Sequence, residues 1–153
     1  MKTPITKPGI MQQRLNVLAG KWNTTGHTIA NTDQPSLECV ATDIYEWLPG
    51  GFFLMHRVDA RLGEDRLQFT EIIGYDALEK SFFIQTYDHK GKTERSRMNL
   101  NHGILEIKGA NERFSGTINT QGNIISGSWE RLIADSTWQP YMEIKLTKVG
   151  HFS

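Results

Sequence analysis

Gly20-Lys21-Trp22 separates two kinds of sequence in this chain of 153 residues. Before it, a helix is predicted over residues 9–19, because apolar residues recur there at helical spacing. These residues are Ile10, Met11, Leu15 and Leu18. Gly20 suits the left-handed conformation that ends many helices. After Trp22 the apolar period changes to two, which is typical of strands. The tripeptide therefore marks the place where one short helix gives way to a chain of strands.

Ten strands are predicted after the tripeptide. They span residues 21–30, 36–47, 52–60, 66–75, 81–88, 93–101, 104–109, 113–119, 124–133 and 138–149. Short turns rich in Gly, Asn, Asp and Pro separate them, so consecutive strands should pair antiparallel. Ten such strands close most naturally into a barrel, and a sandwich of two five-stranded sheets is the alternative. The sequence thus predicts an all-β fold, an antiparallel up-and-down barrel of about ten strands with one N-terminal helix.

Composition narrows the classes of function. Lys+Arg and Asp+Glu balance at 17 each, so the chain lacks the basic excess expected for binding nucleic acid or an anionic membrane. Cys39 is the single cysteine, which precludes an intrachain disulfide, and no apolar run reaches the length of a membrane span. The N-terminus lacks the apolar stretch of a signal peptide. We expect a cytoplasmic protein with a flexible tail over residues 1–8 and a single domain over residues 9–150.

Alternation along the strands predicts which side chains point into the barrel. A ten-stranded barrel is wider than its side chains fill, so part of the interior should be a cavity. Polar residues on the inward face then become candidates for binding, because a buried polar group is costly unless it is bonded or wet. The inward candidates are Asp43, His56, Glu71 and Arg131, with Tyr87 added if the fifth strand turns Phe83 inward rather than Phe82. In the last strand Trp138, Met142, Ile144 and Leu146 are predicted to share one face.

The tripeptide resembles the Gly-x-Trp signature of the lipocalin and calycin barrels. In those barrels the Trp closes one end, and a basic side chain from a late strand stacks across it; Lys148 and Arg131 are the candidates here. Further stretches look like a family of small bacterial lipocalin-like proteins catalogued as a domain of unknown function. They are Leu48-Pro49-Gly50-Gly51-Phe52, Ile73-Gly74-Tyr75-Asp76, Glu79-Lys80-Ser81-Phe82 and Ile125-Ser126-Gly127-Ser128-Trp129-Glu130. Because these motifs are turn glycines and core aromatics, the resemblance implies a barrel and little chemistry.

The leading functional hypothesis is a non-enzymatic binder of a small hydrophobic or amphipathic molecule in the barrel lumen. The predicted apolar wall is Trp22, Tyr45, Phe69 and Trp129. The residues predicted to orient a polar end of the ligand are His56, Glu71, Tyr87 and Arg131.

Two other classes of function stay open. One is a cofactor-free enzyme in which Glu71, Tyr87 and Arg131 act as a general acid–base set, similar to that of the lipocalin-like phenolic acid decarboxylases. The other is an oligomeric scaffold, such as a homodimer, because one of the adjacent Phe82 and Phe83 must face outward.

His56 is the histidine that alternation places inside the barrel. It could ligate haem, as in the related nitrobindin-like barrels, or carry a proton, but a half-buried histidine satisfied by a neighbour is the simpler interpretation. In nitrobindin-like proteins the haem histidine comes late in the chain, whereas this sequence has no histidine between His102 and His151. No zinc-spaced Cys/His cluster or phosphate-binding loop occurs either. We therefore predict no cofactor and no metal.

Overall fold

Ten antiparallel strands close into a barrel in the computed structural model, which describes residues 7–151. A helix, α1 (Ile10–Arg14), continues into one 3-10 turn (Leu15–Leu18) before the first strand. The strands are β1 (Gly20–Thr28), β2 (Glu38–Trp47), β3 (Leu54–Leu62), β4 (Asp65–Asp76), β5 (Ser81–Asp88), β6 (Thr93–Asn101), β7 (Ile104–Lys108), β8 (Glu112–Ile118), β9 (Ile124–Ala134) and β10 (Thr137–Gly150).

Each strand pairs with its neighbours in sequence, and β1 pairs with β10 to complete the circle. The predicted barrel is therefore confirmed, and the alternative of two separate sheets is wrong. The tail predicted over residues 1–8 falls mostly on residues 1–6, which lie outside the described residues. Within residues 7–151, no helix is long and apolar enough to cross a membrane.

Alternation places the side chains much as the sequence predicts. In β1, Trp22, Thr24 and Thr28 are buried, while the odd-numbered residues between them are exposed or partly exposed. The same parity turns Asp43, His56 and Glu71 inward on β2, β3 and β4.

In the fifth strand, Phe82 rather than Phe83 points into the barrel. Phe82 and Ile84 are buried inside the barrel, so Phe83 and Tyr87 belong to the outer face. Tyr87 is 49% exposed, and its expected place in the interior is wrong. The side chain of Phe83 is partly covered, since the Arg95 guanidinium lies 4.4 Å above its ring.

A bulge in β10 corrects the prediction for Trp138. The β9–β10 register shifts between Pro140 and Met142, which reverses the parity of the residues before the shift. Trp138 therefore lies on the outer wall, where the Arg113 guanidinium sits 4.4 Å above its ring. Met142 points inward, as expected.

The helical segment seals one end of the barrel, which we call the closed end. Leu15, Leu18 and Trp22 are at most 1% exposed and pack with core residues from most of the strands. The Trp22 indole Nε1 donates a hydrogen bond of 2.8 Å to the Leu18 carbonyl oxygen. Lys148 Nζ lies 4.9 Å from the centre of the Trp22 ring and donates to the Val17 carbonyl oxygen. Lys148 is thus the basic partner of Trp22.

Gly20 serves a different purpose from the predicted helix cap. The 3-10 turn ends at Leu18 with Ala19 as its cap, and Gly20 is already the first residue of β1, with φ of 135°. A Cβ at this position would lie 2.6 Å from the Gly150 carbonyl oxygen on the neighbouring strand. Glycine is needed here because β1 and β10 approach closely where the barrel closes.

Candidate functional site

A cavity of about 390 Å³ occupies the barrel interior beyond the closed end. We call it the lumen. Its wall is mostly apolar and includes the aromatic side chains of Tyr45, Phe69 and Trp129. Trp22 does not line it, because this residue is packed below it in the closed end. The lumen has the mixture of apolar wall and few polar groups that is typical of small-molecule sites.

A continuous chain of hydrogen bonds crosses the lumen wall. His56 Nε2 lies 2.7 Å from Asp43 Oδ2, and His56 Nδ1 lies 2.9 Å from Glu71 Oε1. Thr24 Oγ1 donates to Asp43 Oδ1 at 2.6 Å, and Thr86 Oγ1 donates to Glu71 Oε2 at 2.8 Å. We call these five residues the polar chain. Every carboxylate oxygen and ring nitrogen in it has a partner.

The strand register explains why the polar chain forms. His56 stands directly opposite Glu71, and Glu71 directly opposite Thr86. Asp43 stands opposite Val58 on β3 and Trp22 on β1, so it meets His56 and Thr24 diagonally. Opposite and diagonal positions on one face lie within reach of each other's side chains. Five consecutive strands, β1 to β5, therefore each contribute one member.

His56 is protonated in this environment. Burial lowers its pKa, but the hydrogen bonds and negative charges of Asp43 and Glu71 outweigh burial and raise the pKa from 6.5 to about 9. In the imidazolium form both ring nitrogens donate, which matches two carboxylate acceptors. The polar chain thus carries one positive and two negative charges.

Tyr45 covers the polar chain from one side. Its ring stacks on His56 with centroids 3.8 Å apart and planes 8° apart. Burial, together with the charges of Asp43 and Glu71, raises the pKa of its phenol well above the usual value. The phenol is therefore neutral and can both donate and accept a hydrogen bond.

The end of the lumen opposite the helix carries a second group of charges. Asp88, Glu94, Glu112 and Arg131 lie there, where strands β5, β6, β8 and β9 begin or end. Arg131 Nε donates to Glu112 Oε1 at 3.1 Å, and its guanidinium sits 3.4 Å above the ring of Tyr141. Since Glu94 and Arg131 are exposed, this end opens to solvent. We call it the mouth.

The predicted site residues divide into three groups. Tyr45, His56, Phe69, Glu71, Trp129 and Arg131 line the lumen. Trp22 lies in the closed end, and Tyr87 lies on the outer wall, so neither faces it. The acid–base set of Glu71, Tyr87 and Arg131 is consequently not assembled.

Sequence reasoning missed several residues of the lumen. They are Thr24 and Thr86 of the polar chain and Asp88, Glu94, Glu112 and Tyr141 at the mouth. The alternation of β1 predicts that Thr24 points inward. Nothing in the sequence around this threonine indicates a hydrogen bond to a carboxylate 19 residues away. The Glu112–Arg131 pair follows from the β8–β9 register, in which these residues stand opposite each other.

The histidine does not suit a haem ligand. An axial ligand needs an unprotonated ring nitrogen, whereas both nitrogens of His56 are engaged by carboxylates. Within the described part of the chain, no group of three or more His, Cys, Asp or Glu side chains is arranged to hold a metal ion.

The outer wall of the barrel carries a shallow depression. It lies over Gly26 of β1 and over Ser126 and Gly127 of β9, the two strands that flank β10, and is largely open to solvent. The ionisable side chains along it are His27, Glu143 and Lys145. His27 Nε2 and Glu143 Oε2 are 3.7 Å apart, and both side chains are more than half exposed. The lumen, with its enclosed and charged groups, is the stronger candidate.

The sequence matches the model of a family described as proteins of unknown function, DUF1579, over residues 7–123. The chain belongs to the DUF1579 family. This confirms the predicted resemblance to a domain of unknown function, and the barrel is compatible with a lipocalin-like fold. The match spans α1 to β8 and includes the whole polar chain of this DUF1579 protein, while Trp129, Arg131 and Tyr141 follow it.

A solved structure shares the fold. The crystal structure of Rv2717c from M. tuberculosis superposes with a TM-score of 0.65, covering 92% of the DUF1579 chain and 98% of its own. The two sequences are 14% identical, so the likeness concerns the fold alone. No curated protein matches the sequence.

Proposed function

We propose that this DUF1579 protein binds a small, partly apolar molecule inside its barrel and does not transform it. The observation that carries the proposal is the lumen itself, about 390 Å³ of space walled by apolar and aromatic side chains. Protein interiors are normally packed with few voids larger than a water molecule. A lumen of this size is therefore a feature that favours a ligand.

The polar chain favours binding over catalysis. A histidine general base needs an unprotonated ring nitrogen, and a carboxylate base or nucleophile is weakened when it is held in an ion pair. In the polar chain both nitrogens of His56 and all four oxygens of Asp43 and Glu71 already have protein partners. These groups are fixed in position and charge, which suits the orientation of a bound molecule.

The oligomeric scaffold has weaker support. Its motivation was an exposed aromatic residue, but Phe83 is shielded by Arg95 and lies 6.4 Å from Phe53. Phe53 itself is 44% exposed, which makes a small apolar patch rather than a broad one. A homodimer and a cytoplasmic location both remain proposals alongside ligand binding.

The test is native mass spectrometry of the freshly purified protein, followed by binding measurements on a variant with a filled lumen. Ala41→Phe places a large ring in the lumen, because Ala41 lines it. Val40→Phe adds a ring to the adjacent residue, which is 49% exposed on the outer wall. We expect an added mass on the wild type and on Val40→Phe and its loss from Ala41→Phe. Thermal unfolding of both variants shows whether each is folded.

Two results would contradict the proposal. One is a bare chain that also fails to bind amphipathic probes at concentrations up to the millimolar range. The other is equal retention of the ligand by a folded Ala41→Phe variant, which would place the ligand outside the lumen.

A further inference from the structure

We infer that the lumen selects ligands with a positively charged end, so that its ligand class is a small apolar molecule bearing an ammonium group. This inference rests on the proposed function, since it assigns a charge preference to the same lumen.

The charges that line the lumen are predominantly negative. Five carboxylates face it against two cations, which leaves a net charge of minus three with His56 protonated. The carboxylates are those of Asp43, Glu71, Asp88, Glu94 and Glu112. The whole chain has a formal net charge of zero, so this imbalance is local. A cleft with charges of one sign and low-dielectric walls concentrates ions of the opposite sign.

Both cations of the lumen are already paired with carboxylates. His56 lies between Asp43 and Glu71 and donates both of its N–H groups to them. Arg131 donates to Glu112 and stacks on Tyr141. A ligand carboxylate at His56 would have to displace Asp43 or Glu71. One at Arg131 would lie beside Glu112 and the other carboxylates of the mouth. By contrast, Glu94 has no salt-bridge partner within residues 7–151.

Tyr45 supplies an independent pointer to a ligand. It is 7% exposed, and its hydroxyl has no hydrogen-bond partner among the described residues. No fully enclosed side-chain nitrogen or oxygen in that part of the chain lacks a partner, so the Tyr45 hydroxyl must face the open lumen. An ammonium group can donate to it, and the aromatic rings of Phe69 and Trp129 offer faces that attract a cation.

The apolar part of the ligand would lie in the lumen between the polar chain and the closed end. The wall between the polar chain and the closed end consists of apolar side chains, among them Ile73, Ile84, Met98 and Leu146. An alkyl chain lying there leaves its charged end at the level of Tyr45 and the polar chain or nearer the mouth. The lumen therefore suits an amphipathic cation rather than a fully polar one.

The experiment compares three probes with the same alkyl chain: n-octylamine, n-octanol and n-octanoate. Isothermal titration calorimetry at pH 7 measures their affinities for the wild-type protein at low and at high salt. We expect octylamine to bind about tenfold or more tightly than octanoate at low salt, with octanol between them. Raising the salt concentration should narrow this ratio, because mobile ions screen the charges near the mouth.

A matched pair of variants tests whether the lumen charges cause the preference. Glu94→Gln removes an exposed charge at the mouth, and Glu38→Gln removes an exposed charge from the outer wall of β2. We expect Glu94→Gln to reduce the ratio of octylamine to octanoate affinity about two- to threefold, and Glu38→Gln to leave it unchanged. Both side chains are exposed, so neither change should affect folding.

The outcomes separate the two proposals. Binding of octanol and octanoate with affinity equal to or above that of octylamine overturns the charge inference and leaves ligand binding intact. Equal effects of Glu94→Gln and Glu38→Gln also overturn it, since the preference would then come from the overall charge of the protein. Failure of all three probes to bind overturns the proposed function and the charge inference together.

Discussion

The closed end and the lumen are built from the same strands but filled in opposite ways. At the closed end Leu18, Trp22 and their neighbours pack tightly, and a single cation, Lys148, lies on the Trp22 ring. A few residues further along the same strands, Asp43 and His56 carry charges into the interior. The tightly packed core and the open, charged lumen therefore occupy separate levels of one barrel. Substitutions at the two levels should therefore change the free energy of unfolding by different amounts and with a different dependence on pH.

The largest expected effect is at the closed end. Trp22→Ala should lower the free energy of unfolding by about 4 kcal/mol, because it removes a fully buried ring and leaves a cavity. Trp138→Ala is the control on the outer wall, where the ring is partly exposed and contacts Arg113. We expect it to cost about 1 kcal/mol. Urea denaturation measures both. Similar costs for the two would mean that the closed end is not the stabilising level of the barrel.

The second prediction concerns the lumen, where the stability contributed by His56 should depend on pH. The pKa of His56 is about 9 in the folded protein against 6.5 for the free side chain. Its protonation therefore contributes stability that is fully present below pH 6.5 and is lost as the pH rises to about 9. The loss should be about 3 kcal/mol. Urea denaturation at several pH values measures it.

A variant identifies the group responsible for that pH dependence. His56→Gln replaces the imidazole by a side chain that does not titrate, so its stability should be lower at pH 6 and nearly constant between pH 6.5 and 9. Trp22→Ala should keep the wild-type slope, because the Trp22 indole donates its hydrogen bond to Leu18 and makes none to the polar chain. A slope that survives in His56→Gln would assign the titration to another group.

The third prediction tests whether the threonine at one end of the polar chain contributes to stability. Thr86→Val keeps the shape of the side chain but removes the hydroxyl that donates to Glu71. We expect a loss of about 1–2 kcal/mol, because a partly buried carboxylate oxygen is left without a donor. Thr70→Val makes the same change on the outer face of β4 and should cost less than about 0.5 kcal/mol. Equal costs would show that the hydroxyl of Thr86 contributes no more than that of Thr70 on the outer face.

The sequence was sufficient for the barrel and for most of its faces. Turn residues and alternation placed ten strands within a few residues of their observed bounds, since both signals are local. Alternation failed where neighbouring residues were equally apolar, at Phe82 and Phe83, and where a bulge reversed the parity, at Trp138. A bulge depends on how two strands meet, which one strand's pattern does not encode.

The polar chain needed knowledge of register as well as parity. The contact between His56 and Glu71 could have been predicted from the sequence. Gly63 and Glu64 form a two-residue turn between β3 and β4, which pairs Leu62 with Asp65. Counting back along both strands from that pair brings His56 opposite Glu71. The diagonal contact between Asp43 and His56 depends in addition on the β2–β3 register, which a six-residue connection over residues 48–53 does not fix.

The smallest expected change in stability concerns Lys148, the cation that lies on Trp22 at the closed end. Lys148→Met should cost about 1 kcal/mol, because it removes the hydrogen bond to Val17 and the cation above Trp22 but keeps the apolar stem that covers the ring. Burial lowers the pKa of Lys148, which shows that part of the gain from these contacts is offset by desolvation. Lys145→Met, on the exposed face of β10, should be neutral within about 0.5 kcal/mol. The cost of Lys148→Met should also stay constant between pH 6.5 and 9, since Lys148 has no hydrogen bond to the polar chain. A pH-dependent cost would couple the two levels of the barrel and contradict their separation.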